Sequence, residues 1–416
     1  MIAILRKGKL LRLRPTMIIF HRWAGLVLAG FLILSGLTGS ILAWNAELEA
    51  LLSPELFLAE APSQHAPMLD PLSLREQMLQ QYPAADIPYV PLFTETGHAT
   101  VFFLAPKSTG TDPELENDQV FVHPYTGRIL GERKFGLIAQ GKKNLMPFIY
   151  RLHRSLALGK VGTYVFGLVA LLWTLDCFFG AYLSLPPPAR QTHAKSWLRR
   201  WYPSWKLRRN AGHYKLHFDL HRAGGLWLWA MLFILAWSGV AFNLQQVYTP
   251  VMQTMFRHQP GDNIIPALSK AQHAPGISWV QARDTGRQLM RQQAIINGFD
   301  IRREDSLYYD AGKAVFRYDV LSSADIRTHS GGTSLWFDAN TGAFLALSLP
   351  TGGATGDTLS TWITSLHMAA LWGLPFKLFI CMMGMAVTGL SATGIVIWAK
   401  KRRARLSSLQ QRATMP

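Results

Sequence analysis

The sequence predicts an α-helical integral membrane protein, with four transmembrane helices in two parallel repeat units and a small α+β domain between the helices of each unit. Three observations lead there. The 416 residues are 49% hydrophobic and only 16% charged, too apolar for a soluble chain of this length. Four stretches, Met17 to Trp44, Thr163 to Leu185, Leu220 to Leu244 and Leu374 to Trp398, reach the about 20 residues needed to cross a hydrocarbon core. The chain also repeats itself: Phe20-His21-Arg22-Trp23-Ala24-Gly25-Leu26 returns as Leu220-His221-Arg222-Ala223-Gly224-Gly225-Leu226, with Gly39 and Gly239 in the same register.

Taken in order, residues 1–16 are a basic lead, 17–44 the first span and 45–146 the first outer domain. Residues 147–185 hold a lead-in segment and the second span, 186–212 a basic linker and 213–247 the third span. The second outer domain covers 248–358, a lead-in segment with the fourth span 359–399, and a basic tail 400–416, expected to be irregular.

Charge orients this arrangement. An even number of spans puts both termini on one side, and Lys and Arg crowd Arg6 to Arg14, Arg190 to Lys215 and Lys400 to Arg405. By the positive-inside rule these segments are cytoplasmic and the two long loops face outward. The formal charge of +17 therefore goes with topology and anionic lipid rather than nucleic acid. The basic start and first apolar run have the layout of a signal peptide, but the run exceeds an h-region of about 7 to 15 residues, so it is expected to be retained. Cys177 and Cys381 lie inside spans without a CxxC or CxxCH motif, which excludes a disulfide framework and covalent c-type haem attachment.

In the outer domains, Thr100 to Leu104 alternates as a strand, and Val120 to Leu130 reads as strand, turn, strand. Ala314 to Val320 and Leu335 to Leu345 read likewise, with Thr126-Gly127 and Thr341-Gly342 at matching turns. Between the halves, Pro186-Pro187-Pro188 leads into a segment carrying Trp197, Trp201 and Trp205, the composition of an interfacial cytoplasmic linker.

A third repeated element marks the return to the membrane, where Leu152-His153 is echoed by Leu366-His367. Four repeat-related histidines result, His21 and His221 at the inner ends of spans one and three and His153 and His367 before spans two and four on the outer side. His21 and Trp44 are on the order of 35 Å apart along a helix, so the two pairs cannot share one ion. Ionisable groups are costly in the membrane, and a haem iron held by two imidazoles from facing helices suits each pair. Arg22, Arg222 and Arg154 follow the histidines, where haem propionates would lie.

His213, His217 and His221 recur every four residues along one helical face, which makes His217 the substitute ligand for the inner site. His221 is preferred because it matches His21. Met382, Met383 and Met385 read as packing. Asp219 is placed to pair with Arg222, while Asp176 lies deeper in its span with no partner evident in the sequence.

These motifs resemble the PepSY-associated transmembrane family. The resemblance rests on the His-Arg-x-x-Gly-Leu openings at His21 and His221, the Leu-His pairs at His153 and His367, and the Thr-Gly turns at His123 to Gly127 and Asp338 to Gly342. His123 departs from the family's usual Asp. The resemblance implies a place in the bacterial inner membrane, PepSY-like periplasmic domains and two haem b groups passing electrons across that membrane, from a cytoplasmic or quinol donor to a periplasmic acceptor. It further implies a haem-dependent oxidoreductase of the ferric-siderophore reductase type, releasing ferrous iron. The alternatives are a non-enzymatic, membrane-anchored PepSY binding or regulatory protein, and a siderophore transporter. The transporter is disfavoured by the expectation of unbroken spans. No Gly-x-Gly-x-x-Gly or P-loop is present to bind a nucleotide donor.

Overall fold

The computed structural model describes residues 2–64, 66–107, 115–187, 196–208 and 212–413, with residues 2–12 and 413 by their backbone. They divide into two compact units. One comprises Met1–Ala43, Arg151–Thr249 and Leu374–Pro416; the other comprises Trp44–Tyr150 and Pro250–Gly373.

The first unit is a helical membrane bundle. Three of its helices are long and apolar enough to cross a membrane, over Leu13–Leu42, Gly159–Ser184 and Gly373–Arg412. The third expected span, Leu220 to Leu244, is not one straight helix. It is a pair, His213–Trp227 and Trp229–Asn243, bent by 71°. Gly224 and Gly225 fall in the turn before the break, where they leave the helix without bracing side chains. Just after it, the Trp229 indole N–H donates to the Cys177 carbonyl at 2.9 Å and ties the new direction to the second span.

The ends of the chain depart from expectation in the same sense. The first helix begins at Ile2 and carries Pro15 inside it, so the basic lead is helical. Arg14 sends both Nη atoms to the carbonyls of Leu185 and Leu183, at 2.9 and 2.7 Å, and so satisfies the open end of the second span. The basic tail, expected to be irregular, continues the last helix to Ala413. From Ile395 to Ala413 there is no Gly or Pro, and Ala, Lys, Arg, Leu and Gln dominate, all strong helix formers.

Every span contributes to the bundle interior: Cys177, Leu232, Met383 and Val387 are buried together, with Leu32, Trp173 and Leu390 around them. Met383 packs here, whereas Met382 and Met385 are exposed on the outside of the bundle. The linker docks on the end of the second span. Ser204 Oγ donates to the Ser184 carbonyl at 3.0 Å and the Trp201 indole to Ser184 Oγ at 3.2 Å, while the Trp201 ring lies 5.1 Å from that of Trp197, tilted, and 5.1 Å from that of Trp205, edge to face. Residues 188–195 and 209–211, with Pro188 and Arg190, lie outside the described residues.

The second unit is α+β. A five-stranded antiparallel sheet runs Phe344–Ser348, Thr333–Asp338, Val315–Ser322, Ile301–Asp310 and Tyr89–Pro91, and a three-stranded sheet runs Thr100–Phe103, Gln119–Val122 and Ile129–Arg133. The last strand of the larger sheet comes from the first loop, pairing Tyr89 with Tyr308 and Val90 with Leu307. One helix backs each core. Pro71–Gln81 buries Leu72, Leu74 and Met78 against Val90, Phe102, Val120 and Val122, and Trp279–Asn297 buries Ala282 and Met290 against Leu307, Phe316 and Phe337. Leu92 and Trp279 touch both cores. The Arg75 guanidinium, 3.8 Å above the Trp279 ring, joins the two helices.

The matching turns have matching backbones. Gly127 (φ 71°) and Gly342 (φ 73°) both occupy the left-handed region that glycine tolerates, and their N–H groups donate to the His123 and Asp338 carbonyls, each at 2.9 Å. Asp338 Oδ1 also accepts from the N–H groups of Asn340 and Thr341. Burial pushes this carboxyl up, and those bonds outweigh it and hold it below the usual range. His123 Nδ1 accepts one such bond, from Tyr125 N at 3.4 Å. His123 thus fills the same turn-bracing role as Asp338 with fewer bonds.

Candidate functional site

All four candidate spans converge on His21 and His221. His21 on the first and His221 on the third lie with ring centroids 6.1 Å apart and planes at 54°. The second span supplies Asp176, whose Oδ1 is 2.8 Å from His21 Nδ1, and the fourth supplies the Leu390 carbonyl, 3.0 Å from His221 Nδ1. A carbonyl oxygen only accepts, so His221 carries its proton on Nδ1. A carboxylate likewise takes the Nδ1–H of His21. In each neutral ring the lone pair is then left on Nε2, the arrangement in which metal-bound histidines are held by their second nitrogen.

The packing around each ring is repeated too. A Cβ on Gly180 would lie 3.5 Å from His21 Cε1, and one on Gly394 would lie 3.4 Å from His221 Cε1. Asp176 and Gly180 stand to His153 in the sequence as Leu390 and Gly394 stand to His367, 23 and 27 positions on. Each half therefore presents its inner histidine on the same two helical positions. One turn beyond the histidines, Gly25 and Gly225 are half-buried, yet a Cβ on either would meet nothing within 4 Å. This open space lies on the histidine-bearing face of each helix, because residues i and i+4 share a face.

The sequence places His217 one turn before His221, and the structure finds its Nδ1 buried with no hydrogen-bond partner. His213 is exposed at the start of the same helix. Arg222 Nη2 contacts Asp219 Oδ1 at 3.0 Å and donates to the Pro203 carbonyl at 2.8 Å, while its buried Nε has no hydrogen-bond partner. Asp219 is fully buried and is also gripped by Arg208, through Nε at 2.7 Å and Nη2 at 2.9 Å. Arg22 is half-buried beside His21.

Of the outer histidines, His153 belongs to the membrane bundle. Its Nδ1 is 2.9 Å from Thr38 Oγ1, and Gly39 leaves room for its ring, a Cβ there falling 3.1 Å from Cε1. The Thr38 hydroxyl proton is already given to the Leu34 carbonyl at 2.7 Å. Thr38 therefore accepts from the His153 Nδ1–H, and the lone pair again falls on Nε2. Arg154 is exposed. In the turn that follows, Leu156 and Ala157 have φ of 54° and 57°, costly conformations for residues with a Cβ.

His367 ends the helix Thr355–His367 in the sheet unit. Its half has Met368 where the first has Arg154, but Arg327 donates to Ser365 Oγ at 2.9 Å and Thr364 Oγ1 at 3.1 Å in the last turn of that helix. The sequence reading missed Arg327, which lies in a loop with no repeat partner. Burial lowers the pKa of this guanidinium. The turn after His367 is strained as well, with Ala369 at φ 53° and Trp372 at φ 52°.

Among the described residues, no cluster of three or more His, Cys, Asp or Glu side chains could hold a bare metal ion. The bundle instead offers an inner pair of histidines whose Nδ1 atoms are both engaged. No match is found among curated proteins. A family model, the PepSY-associated TM region, matches residues 18–401, from just before His21 to just after the fourth span. The match takes in both halves of the repeat, both loops and most of every candidate span: the chain belongs to the PepSY-associated TM family.

Proposed function

We propose that this membrane protein is a haem-dependent oxidoreductase carrying two haem b groups, which moves electrons from a cytoplasmic or quinol donor to a periplasmic acceptor, a ferric siderophore. The observation that carries the proposal is the His21–His221 pair. Two imidazoles on opposite sides of one metal ion, with metal–nitrogen distances of about 2 Å, have ring centres roughly 6 Å apart. The observed separation is 6.1 Å. The donor set also fits, since both Nδ1 atoms are engaged and both Nε2 atoms keep a lone pair. The half-buried open space beside Gly25 and Gly225 suits a flat macrocycle.

Bound haem would supply one-electron exchange between ferric and ferrous iron. The protein's part is placement. His21 and His221 hold the inner group, with His217 next in line, and His153 and His367 hold the outer one by their place in the repeat. Arg22, Arg222 and Arg154, joined by Arg327, present donors for carboxylates, and the unpartnered Nε of Arg222 is one such donor. The siderophore's iron is the substrate; its reduction to the ferrous state weakens hard-oxygen ligation and frees the metal.

The purified protein is expected to show Soret and α bands from two haems per chain. His21→Ala and His153→Ala should each lose one, and the dithionite-reduced protein should be reoxidised by ferric chelates. A colourless protein sinks the proposal. Among the alternatives, the transporter gains one supporting observation, the broken third span, although the break itself is the apolar Trp227-Leu228-Trp229. A transporter or a binding protein would keep its function in His21→Ala and His367→Ala.

A further inference from the structure

The two halves of the inner site place their histidines alike but engage the Nδ1 atoms differently. His221 Nδ1 donates to a backbone carbonyl, that of Leu390, with Thr393 Oγ1 also near at 3.2 Å. His21 Nδ1, at the equivalent place, donates to the carboxylate of Asp176. That carboxylate is 8% exposed within a span, and no other acidic residue lies in Gly159–Ser184. A buried carboxylate is expensive to keep, and a neutral acceptor in the same position serves the other half.

We propose that Asp176 is a positioning residue that makes His21 the stronger electron donor of the inner pair and so holds the inner centre at a low reduction potential. This inference rests on the haem reading above. Two physical effects act together. A hydrogen bond to a carboxylate draws the Nδ1 proton away and raises the basicity of the opposite nitrogen, as outer partners of metal-bound histidines do. The fixed negative charge in a low-dielectric site also favours the more positive, ferric state. A lower potential on the inner side makes transfer outward downhill. At the outer histidine, His153 Nδ1 faces a threonine hydroxyl, which adds no charge. Asp176 thus gives the two-fold repeat a direction.

The test is potentiometric titration of the full-length purified protein, followed at the α band, with His21→Ala identifying the inner wave by its disappearance. Asp176→Asn keeps the shape and an accepting oxygen but removes the charge. It should retain two haems per chain and raise the inner midpoint alone, by about a tenfold change in the ferric-to-ferrous ratio, about 59 mV for one electron. Full haem content with an unmoved inner midpoint overturns the inference. If the Asn variant sheds the inner haem, Asp176→Glu decides. Haem recovered at the wild-type potential supports the inference, whereas no recovery, or recovery at a raised potential, overturns it. A wild-type protein without haem would instead defeat the underlying haem reading, so the two failures are distinguishable.

Discussion

Gly36 and Gly384 meet backbone to backbone: a Cβ on Gly36 would lie 2.5 Å from the Gly384 carbonyl oxygen and 2.6 Å from Thr388 Oγ1. One turn away, Ser40 Oγ donates to the Cys381 carbonyl at 2.9 Å. The first and last spans thus close the bundle through small residues four apart on each helix, the contact by which helices associate where no hydrophobic effect drives them together.

Gly36→Val should therefore lower the thermal midpoint of the detergent-solubilised protein, by an overpacking cost of about 1–3 kcal/mol. Gly30→Val is the control, because a Cβ there meets nothing within 4 Å and should leave the midpoint unchanged. Equal effects from the two substitutions would show that this contact is not tight.

Gly180 supports His21 at ordinary van der Waals distance, so a methyl group fits there and a longer branch does not. If the protein carries the two haems proposed above, Gly180→Ala is expected to keep both, and Gly180→Leu to lose the inner one by pushing the ring aside. Haem-to-protein ratios from absorbance check this; equal ratios in all three proteins would contradict it.

In the sheet unit, Asp70 does two jobs. Its Oδ1 accepts from Leu72 N at 2.8 Å, capping the helix Pro71–Gln81, and its Oδ2 pairs with Arg283 of the helix Trp279–Asn297. Asp70→Asn keeps the cap and loses the ion pair, an effect expected below about 1 kcal/mol at this exposed position. Asp70→Ala loses both, with about 1 kcal/mol more for the cap. Chemical denaturation of the two variants should rank them in that order.

Glu304 accepts a bidentate pair from Arg287, Nε and Nη2 each at 2.6 Å, and a bond from the Tyr318 hydroxyl at 2.5 Å. Burial pushes this carboxyl up, but these bonds outweigh it and hold its pKa below the usual value. A depressed folded pKa means stability that is present above the unfolded value, near 4.5, and lost as pH falls through the lower folded value. Unfolding curves from pH 7 to pH 3 should thus show wild type losing its advantage over Glu304→Gln only in the acid range. A constant difference across that range would refute the linkage.

Spans, basic flanks, the His-Arg openings and the Thr-Gly turns were legible because each is written locally, in hydropathy, charge or the φ that glycine allows. The His21–Asp176 bond was not, since its partners are separated by 155 positions and no local pattern joins them. A signal was nonetheless present. The register that aligns His153 with His367 also aligns Gly180 with Gly394 and Asp176 with Leu390, and following it into the spans would have singled out a carboxylate opposite a leucine. The bend near Leu228 escaped because Gly224-Gly225 within an apolar run reads equally as close helix packing. Arg327 escaped because it answers no residue in the other half.

Strand Tyr89–Pro91, contributed by the first loop, covers the edge of a sheet otherwise built wholly from the second. The two repeats are therefore no longer interchangeable building blocks. A chain severed in the linker would strip Ile301–Asp310 of its neighbour and leave a bare edge, the template on which strands from other molecules add. Half-length fragments should recover solubility only when produced together, so the unit of folding here is the pair.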